Sequence, residues 1–97
     1  MKNKLTIVTS RVFNKQLKKL AKQGKDISKI KEVINKLSNH KPLDIKYRDH
    51  KLINDKYYNG CRECHIEPDW LLIYKYVDNN VVLYLVETGS HSELFNL

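Results

Sequence analysis

The chain has 97 residues and a formal net charge of +7, from 18 lysine and arginine residues against 11 aspartate and glutamate residues. A chain of this length forms one modest hydrophobic core and not two, so residues 1–97 are predicted to make a single domain. No apolar run approaches the roughly 20 residues of a membrane span, and no signal-peptide hydrophobic segment follows the basic N-terminus. Composition therefore excludes a membrane protein and predicts a cytoplasmic one.

Positive charge is concentrated in the first half of the chain. Residues 1–50 hold 14 lysines and arginines against 4 acidic residues, a net charge of +10. Residues 51–97 hold 4 basic against 7 acidic residues, a net charge of −3. A basic half fits either a surface that binds a polyanion or a solvated lysine face that keeps the protein soluble. Composition alone leaves both interpretations open.

The first half of the chain has the pattern of one strand and two helices. Residues 5–9 are rich in β-branched side chains and predict a short strand. Ser10 is a good N-cap for a helix that ends near Lys22, with Gly24 beyond it, and Asp26 can cap a second helix. In the first helix, basic residues occupy the side opposite the apolar residues. The candidates for binding a polyanion there are Lys15, Lys18, Lys19 and Lys22.

From Ile45 onward the pattern changes to short strands. A connector runs to Leu52 and is predicted to become extended near His50. Strands are then predicted over residues 61–66, 71–77 and 81–86. Tight turns between them favour antiparallel neighbours. The order β-α-α-β-β-β predicts an α+β domain in which two N-terminal helices pack on a mainly antiparallel, twisted sheet.

Three of the four histidines surround one acidic turn in this second half. His50 leads into the strands, His65 lies four residues before Asp69, and His91 follows the last strand after Gly89. An imidazole with an ordinary pKa of about 6.5 both takes and gives a proton near neutral pH. Each histidine alone could simply fill a surface or core position. Together with Asp69 they predict acid–base chemistry.

The two cysteines, Cys61 and Cys64, have the spacing of a zinc or redox motif. No second pair exists in the sequence, and residues three apart on a strand point to opposite faces. We expect two reduced, structural thiols and no metal. A zinc site built from histidine and cysteine remains a minor alternative.

Three blocks of sequence resemble a known family in their order and spacing. They are Arg48–Leu52 (RDHKL), Arg62–Lys75 (RECHIEPDWLLIYK) and Thr88–Phe95 (TGSHSELF). Over nearly the whole chain they are similar to the YafQ-like branch of the RelE/ParE toxin superfamily. The resemblance implies a microbial-ribonuclease-like fold and a bacterial type II toxin that cuts mRNA in the ribosomal A site without a cofactor. It also implies a RelB/DinJ-like antitoxin whose acidic segment wraps the toxin.

The same resemblance implies roles for individual residues. His50, His65, Asp69 and His91 match the family's catalytic positions, and Phe95 matches a terminal aromatic that helps hold substrate. We expect His91 to be the general acid, His50 or Asp69 the base, and His65 an orienting or charge-stabilising group. Phe95 has an alternative role as a packing residue. Further candidates for holding substrate are Arg48, Lys51 and Arg62.

The chain departs from the family at Glu87, where most relatives carry an arginine that holds the scissile phosphate. A carboxylate facing a phosphate is repulsive. Either Glu87 faces away, or a nearby cation such as Arg62, Lys51 or Arg48 replaces the arginine, or the toxin is attenuated.

Two other classes of function stay open. One is a ParE-like inhibitor of gyrase on the same fold, which does not need the histidines. The other is a toxin that binds the ribosome without cutting RNA. Transcripts that are cut when the protein is induced would distinguish the enzyme from both.

Overall fold

The computed structural model describes residues 4–95, which form a five-stranded sheet with three α-helices. The strand order is β1-β5-β4-β3-β2, and only β1 and β5 are parallel neighbours. The predicted α+β fold on a mainly antiparallel sheet is confirmed. The elements are β1 (Thr6–Thr9), α1 (Arg11–Lys22), α2 (Ile27–Ser38), a 3-10 turn (Ile45–Tyr47), β2 (His50–Lys51), β3 (Arg62–Glu67), β4 (Trp70–Val77), β5 (Val82–Gly89) and α3 (His91–Phe95).

The two long helices begin where the sequence predicts, because each has a side-chain cap. The hydroxyl of Ser10 accepts the backbone N–H of Phe13 at 2.8 Å, and the carboxylate of Asp26 accepts that of Ser28 at 3.1 Å. Gly24, just after α1, has a φ of +87°, a conformation that glycine adopts without strain. Phe13 is buried against the sheet, so the basic side of α1 faces solvent.

The sheet is covered on both faces. Helices α1 and α2 cover one, here called the helix face, and bury the larger core around Phe13, Ile30 and Leu72. The segment between β2 and β3 and helix α3 cover the other, with a smaller core around Tyr58 and Leu71. This second face is called the histidine face, because Glu63 and His65 lie on it opposite Ile73 and Leu71.

The two cysteines lie in different cores, as the strand alternation predicts. Cys64 belongs to the core of the helix face and Cys61 to that of the histidine face. Both are free, and burial raises the pKa of each thiol. Neither thiol is therefore activated as a nucleophile or a metal ligand. Among residues 4–95, no helix is long and apolar enough to cross a membrane.

The structure differs from the prediction at the end of β5. This strand continues three residues past Val86, to Gly89. Ile73 pairs with Glu87 and Tyr74 with Leu85, so Val86 is a bulge. The bulge breaks the alternation and obscures the strand in the sequence. The strand therefore carries the chain directly to the residues before His91.

Helix α3 was not predicted, although its start has a recognisable signal. Ser90 and Glu93 form a capping box: the Ser90 hydroxyl accepts the N–H of Glu93 at 3.2 Å, and Glu93 Oε1 accepts the N–H of Ser90 at 2.9 Å. This cap fixes the direction in which the chain leaves β5. His91 is the first residue of the helix.

Candidate active site

His91 and Asp69 form a hydrogen-bonded pair at one end of the sheet. Asp69 lies in the turn between β3 and β4, and its Oδ1 accepts both the backbone N–H of His91, at 2.9 Å, and its Nδ1–H, at 2.7 Å. These two bonds hold the pKa of Asp69 below its usual value. The carboxylate therefore fixes the tautomer of His91 and leaves its Nε2 to face a substrate. The imidazole side chain is 38% exposed.

A buried carboxylate, that of Glu63, lies between the other two histidines. Glu63 is opposite His50 in the strand register and two residues before His65, so all three side chains share a face. Its Oε1 lies 3.2 Å from Nε2 of His65 and 3.6 Å from Nε2 of His50. The Glu63 side chain is only 7% exposed, and a buried carboxylate requires donors. Nε2–H of His65 supplies one.

The His91–Asp69 pair and the cluster of Glu63, His50 and His65 meet where the rings of His65 and His91 approach each other. The centroids of these rings are 5.4 Å apart, and their planes are inclined by 60°. The side chain of His65 is largely covered, whereas that of His50 is half exposed. The structure thus brings together the four residues predicted to be catalytic and adds Glu63 to them.

Arg48 is the predicted substrate-binding cation that lies beside these histidines. Its carbonyl oxygen accepts Nδ1–H of His50 at 2.7 Å, so Nε2 of neutral His50 carries the lone pair. Arg48 also borders an open groove of about 720 Å³ along the free edge of β3. The residues that line this groove are Lys29, Glu32, Lys46, Tyr47, Arg48, His65, Ile66, Glu67 and Pro68.

Arg62 and Lys51 are not brought together with the histidines. The Arg62 guanidinium donates from Nε and Nη2 to the two carboxylate oxygens of Asp49, at 3.3 and 3.2 Å, and the hydroxyl of Tyr74 donates to the same carboxylate. Tyr74 belongs to the core of the helix face. Lys51 is opposite Arg62 in the register and shares its face. Strand alternation separates both residues from Glu63 and His65.

Phe95 packs onto the core of the histidine face. Its ring meets that of Tyr58 edge to face, with centroids 5.4 Å apart and planes inclined by 77°. The Tyr58 hydroxyl donates to the carbonyl of Leu94 at 3.1 Å, which anchors the same turn of α3. These contacts favour the packing role for Phe95 over the substrate-holding one.

The lysines of α1 are not equivalent. Lys15, Lys18 and Lys22 are exposed and have no ion-pair partner among residues 4–95. Lys19 instead forms an ion pair with Glu93, with Nζ 3.1 Å from Oε2. The first three remain candidates for binding a polyanion, whereas Lys19 ties α1 to α3.

Glu87 is bound by neighbours that are not cations. Its Oε1 accepts a hydrogen bond from Nε2 of Gln16 at 3.0 Å. Burial, followed by the interaction with Glu87, raises the pKa of the Tyr58 hydroxyl. Of the three cations considered as replacements for the family arginine, only Arg48 lies with the histidines. Glu87 therefore has a structural partner in Gln16, and Arg48 is the one of the three cations that contacts a site histidine, through its backbone carbonyl.

Sequence reasoning did not identify Glu63. The available signal was its position two residues before His65 in a predicted strand, which puts the two side chains on one face.

Over the part of the chain that the structure describes, no group of three or more His, Cys, Asp and Glu residues is arranged to hold a metal ion.

Comparison with known proteins gives a consistent assignment. A family model described as a bacterial toxin of a type II toxin–antitoxin system, YafQ, matches residues 5–96. The mRNA interferase toxin YafQ of Escherichia coli (strain B / BL21-DE3) is 40% identical over 84 residues, which cover 86% of this chain and 87% of that protein.

Solved structures agree with this assignment. A metal-bound toxin from Helicobacter pylori is 45% identical and superposes with a TM-score of 0.85, covering 94% of this chain and 99% of that one. YafQ in the DinJ–YafQ complex of E. coli is 39% identical, with a TM-score of 0.81 and coverage of 94% and 98%. The chain therefore belongs to the YafQ family of bacterial type II toxin–antitoxin toxins, the family that its sequence predicts.

Proposed function

We propose that this protein is an mRNA interferase, an endoribonuclease that cuts mRNA in the ribosomal A site and thereby inhibits translation. The observation that carries the proposal is the Asp69–His91 pair beside His65, with Glu63 behind that ring. The name of the E. coli relative, mRNA interferase toxin YafQ, supports it independently. The reaction is acid–base transesterification, in which the ribose 2′-OH attacks the adjacent phosphorus.

His91 is the general acid of this reaction. Its Nδ1–H is held by Asp69, so Nε2–H of the imidazolium points away from the carboxylate and donates to the departing 5′-oxygen. Asp69 is the positioning residue. Its two bonds to His91 hold its pKa below the usual value and make it a poor base, which favours His50 over Asp69 for that role.

His50 is the base. The Arg48 carbonyl holds its Nδ1–H, and the lone pair on Nε2 accepts the proton of the 2′-OH. His65, whose Nε2–H donates to Glu63, and Arg48 supply positive charge to the phosphorane. The products are a 2′,3′-cyclic phosphate and a 5′-OH.

The partners follow from the charge distribution and from a relative. The E. coli YafQ structure is a complex with DinJ, and we propose a RelB/DinJ-like antitoxin for this chain, with an acidic segment that wraps the toxin. The exposed lysines of α1, Lys15, Lys18 and Lys22, offer a surface for this segment or for ribosomal RNA in the cytoplasm.

The test is cleavage of mRNA on programmed ribosomes, with each cut site mapped by primer extension. A matched message carries a single 2′-deoxynucleotide on the 5′ side of the mapped cut. We expect the all-ribose message to yield a 2′,3′-cyclic phosphate end and the deoxy message to stay intact at that site. Cleavage of both messages at equal rates would contradict the proposed reaction.

A further inference from the structure

The last part of β5 has no strand beside it on its outer edge. Strand β1 pairs with β5 only as far as Thr9 and Leu85, yet β5 continues to Gly89. Side chains take the place of the missing strand. The Ser10 hydroxyl donates to the carbonyl of Val86, and the side-chain oxygen of Gln16 accepts the backbone N–H of Thr88 at 2.9 Å.

Both ends of the Gln16 amide are used. While Oε1 accepts from Thr88, Nε2 donates to Oε1 of Glu87 at 3.0 Å. Only one orientation of the amide satisfies a backbone donor and a carboxylate together. Gln16 is half-buried and lies in the middle of α1. It therefore joins this helix to two consecutive residues of β5.

Thr88 links the end of β5 to the residues that directly follow Asp69. Its hydroxyl donates to the carbonyl of Leu71 at 2.7 Å and accepts Nε1–H of Trp70 at 2.9 Å. Thr88 and Trp70 are both buried, and Trp70 directly follows Asp69 in the chain. One residue thus fixes the end of β5 that leads to His91 and the start of the strand that follows Asp69.

The next turn of α1 holds the chain on the other side of His91. Lys19, three residues after Gln16, pairs with Glu93 at 3.1 Å. The other carboxylate oxygen of Glu93 accepts the N–H of Ser90. Helix α1 therefore contacts the segment before His91 through Gln16 and the segment after it through Lys19.

We propose that Gln16 is a positioning residue for the Asp69–His91 pair and acts through Thr88. This inference rests on the proposed function, because it assigns Gln16 a role in the same reaction. The bond between Asp69 and His91 joins two separate turns, so its length depends on what fixes those turns. Small displacements of a positioned acid lower reaction rates strongly.

The experiment compares Gln16→Met, which keeps the length of the side chain but has no hydrogen-bonding amide, with Gln23→Met, an exposed glutamine at the end of the same helix. We expect Gln16→Met to lower the single-turnover cleavage rate on ribosomes by about 10- to 100-fold. Ribosome affinity should stay close to that of Gln23→Met, and both variants should be fully folded at the assay temperature. In the isolated toxin, the NMR signal of the His91 Nδ1–H should broaden.

A pair of substitutions distinguishes positioning from simple destabilisation. Gln16→Glu alone places two carboxylates together, and it should lower the rate and loosen His91. Adding Glu87→Gln restores the hydrogen bond with its polarity reversed, so the double variant should recover both the rate and the His91 signal. It also gives the test if Gln16→Met does not fold.

The outcomes separate this inference from the proposed function. If Gln16→Met and Gln16→Glu leave the His91 signal unchanged, or if the double variant recovers nothing, the positioning role of Gln16 is refuted. If the wild type cuts no RNA, the proposed function fails. The NMR comparison of His91 then still decides whether Gln16 positions that ring.

Discussion

The two faces of strand β3 hold charged side chains in different surroundings. On the helix face, the Arg62 guanidinium is paired with the carboxylate of Asp49, which also accepts the hydroxyl of Tyr74. On the histidine face, Glu63 is buried beneath the imidazoles of two histidines, one of them half exposed. A closed ion pair stabilises the fold, whereas a buried carboxylate that contacts an accessible proton carrier supports a reaction.

The loss of His91 should have the largest effect on the histidine face. If it is the general acid, His91→Ala lowers the cleavage rate by about 10²- to 10⁴-fold without preventing ribosome binding. The matched control is His40→Ala, because His40 stacks on Tyr76 away from the site. Single-turnover assays on ribosomes measure both variants, and equal rates for the two would remove His91 from the mechanism.

Asp69→Asn should have a smaller effect, because the amide oxygen can still accept from His91. It removes the charge that favours the imidazolium, and we expect a rate about 10- to 100-fold lower. Since the pKa of Asp69 is lowered by its bonds to His91, its protonation should not contribute to the pH–rate profile near neutrality. A cleavage rate of Asp69→Asn as low as that of His91→Ala would contradict this assignment.

The basic side of α1 should affect binding and not chemistry. Replacing Lys15, Lys18 and Lys22 by glutamine should weaken ribosome association. The salt dependence should flatten by about 0.7 to 0.9 log units per log unit of salt for each phosphate that the variant no longer neutralises. Replacement by arginine keeps the charge and serves as the control. Unchanged affinity and slope in the glutamine variant would mean that these lysines are only a solvated face.

The smallest effect concerns the ion pairs that Glu67 forms with Lys25 and Lys29. Bonds from Lys29 and Lys25, each 2.9 Å long, hold the pKa of Glu67 below its usual value. Their stabilisation is therefore present above the unfolded pKa of about 4.3 and lost as pH falls through the folded value. Because these pairs are exposed to solvent, we expect only a small contribution to the free energy of unfolding.

Urea unfolding of the wild type and Glu67→Gln at pH 7 and pH 3 measures this contribution. The two proteins should differ in their free energy of unfolding at pH 7 and converge at pH 3. A difference that persists at pH 3 would show that packing, and not charge, links Glu67 to α2.

Local signals in the sequence were enough for much of the fold. Ser10 and Asp26 cap the two helices as predicted, because a cap depends only on the few residues beside it. The bulge at Val86 and the two-residue strand β2 were harder, because both depend on pairing with distant strands. The capping box of α3 was a local signal that the prediction did not use.

The residues of the site could be predicted from the sequence, but the sheet face to which each side chain points could not. The grouping of His50, His65, Asp69 and His91 follows from the family blocks. The separation of Arg62 from Glu63 depends on which face each position of β3 takes, and this is set by packing against α1 and α2. A one-residue change of register would exchange the two residues. Burial made Glu63 part of the site, and sequence alone did not reveal burial.

The most direct test of the difference between the two faces is a comparison of Glu63→Gln with Arg62→Gln. Single-turnover cleavage and the thermal unfolding midpoint are measured for both variants. We expect Glu63→Gln to cut about 10- to 100-fold more slowly than wild type at a nearly unchanged midpoint. Arg62→Gln should lose about 1 kcal/mol of partly exposed ion pairing, lowering the midpoint by about 4–8 °C while its cleavage rate stays close to wild type. A folded Glu63→Gln that cuts at the wild-type rate, or an Arg62→Gln of unchanged stability that does not cut, would contradict the assignment of catalysis to the histidine face.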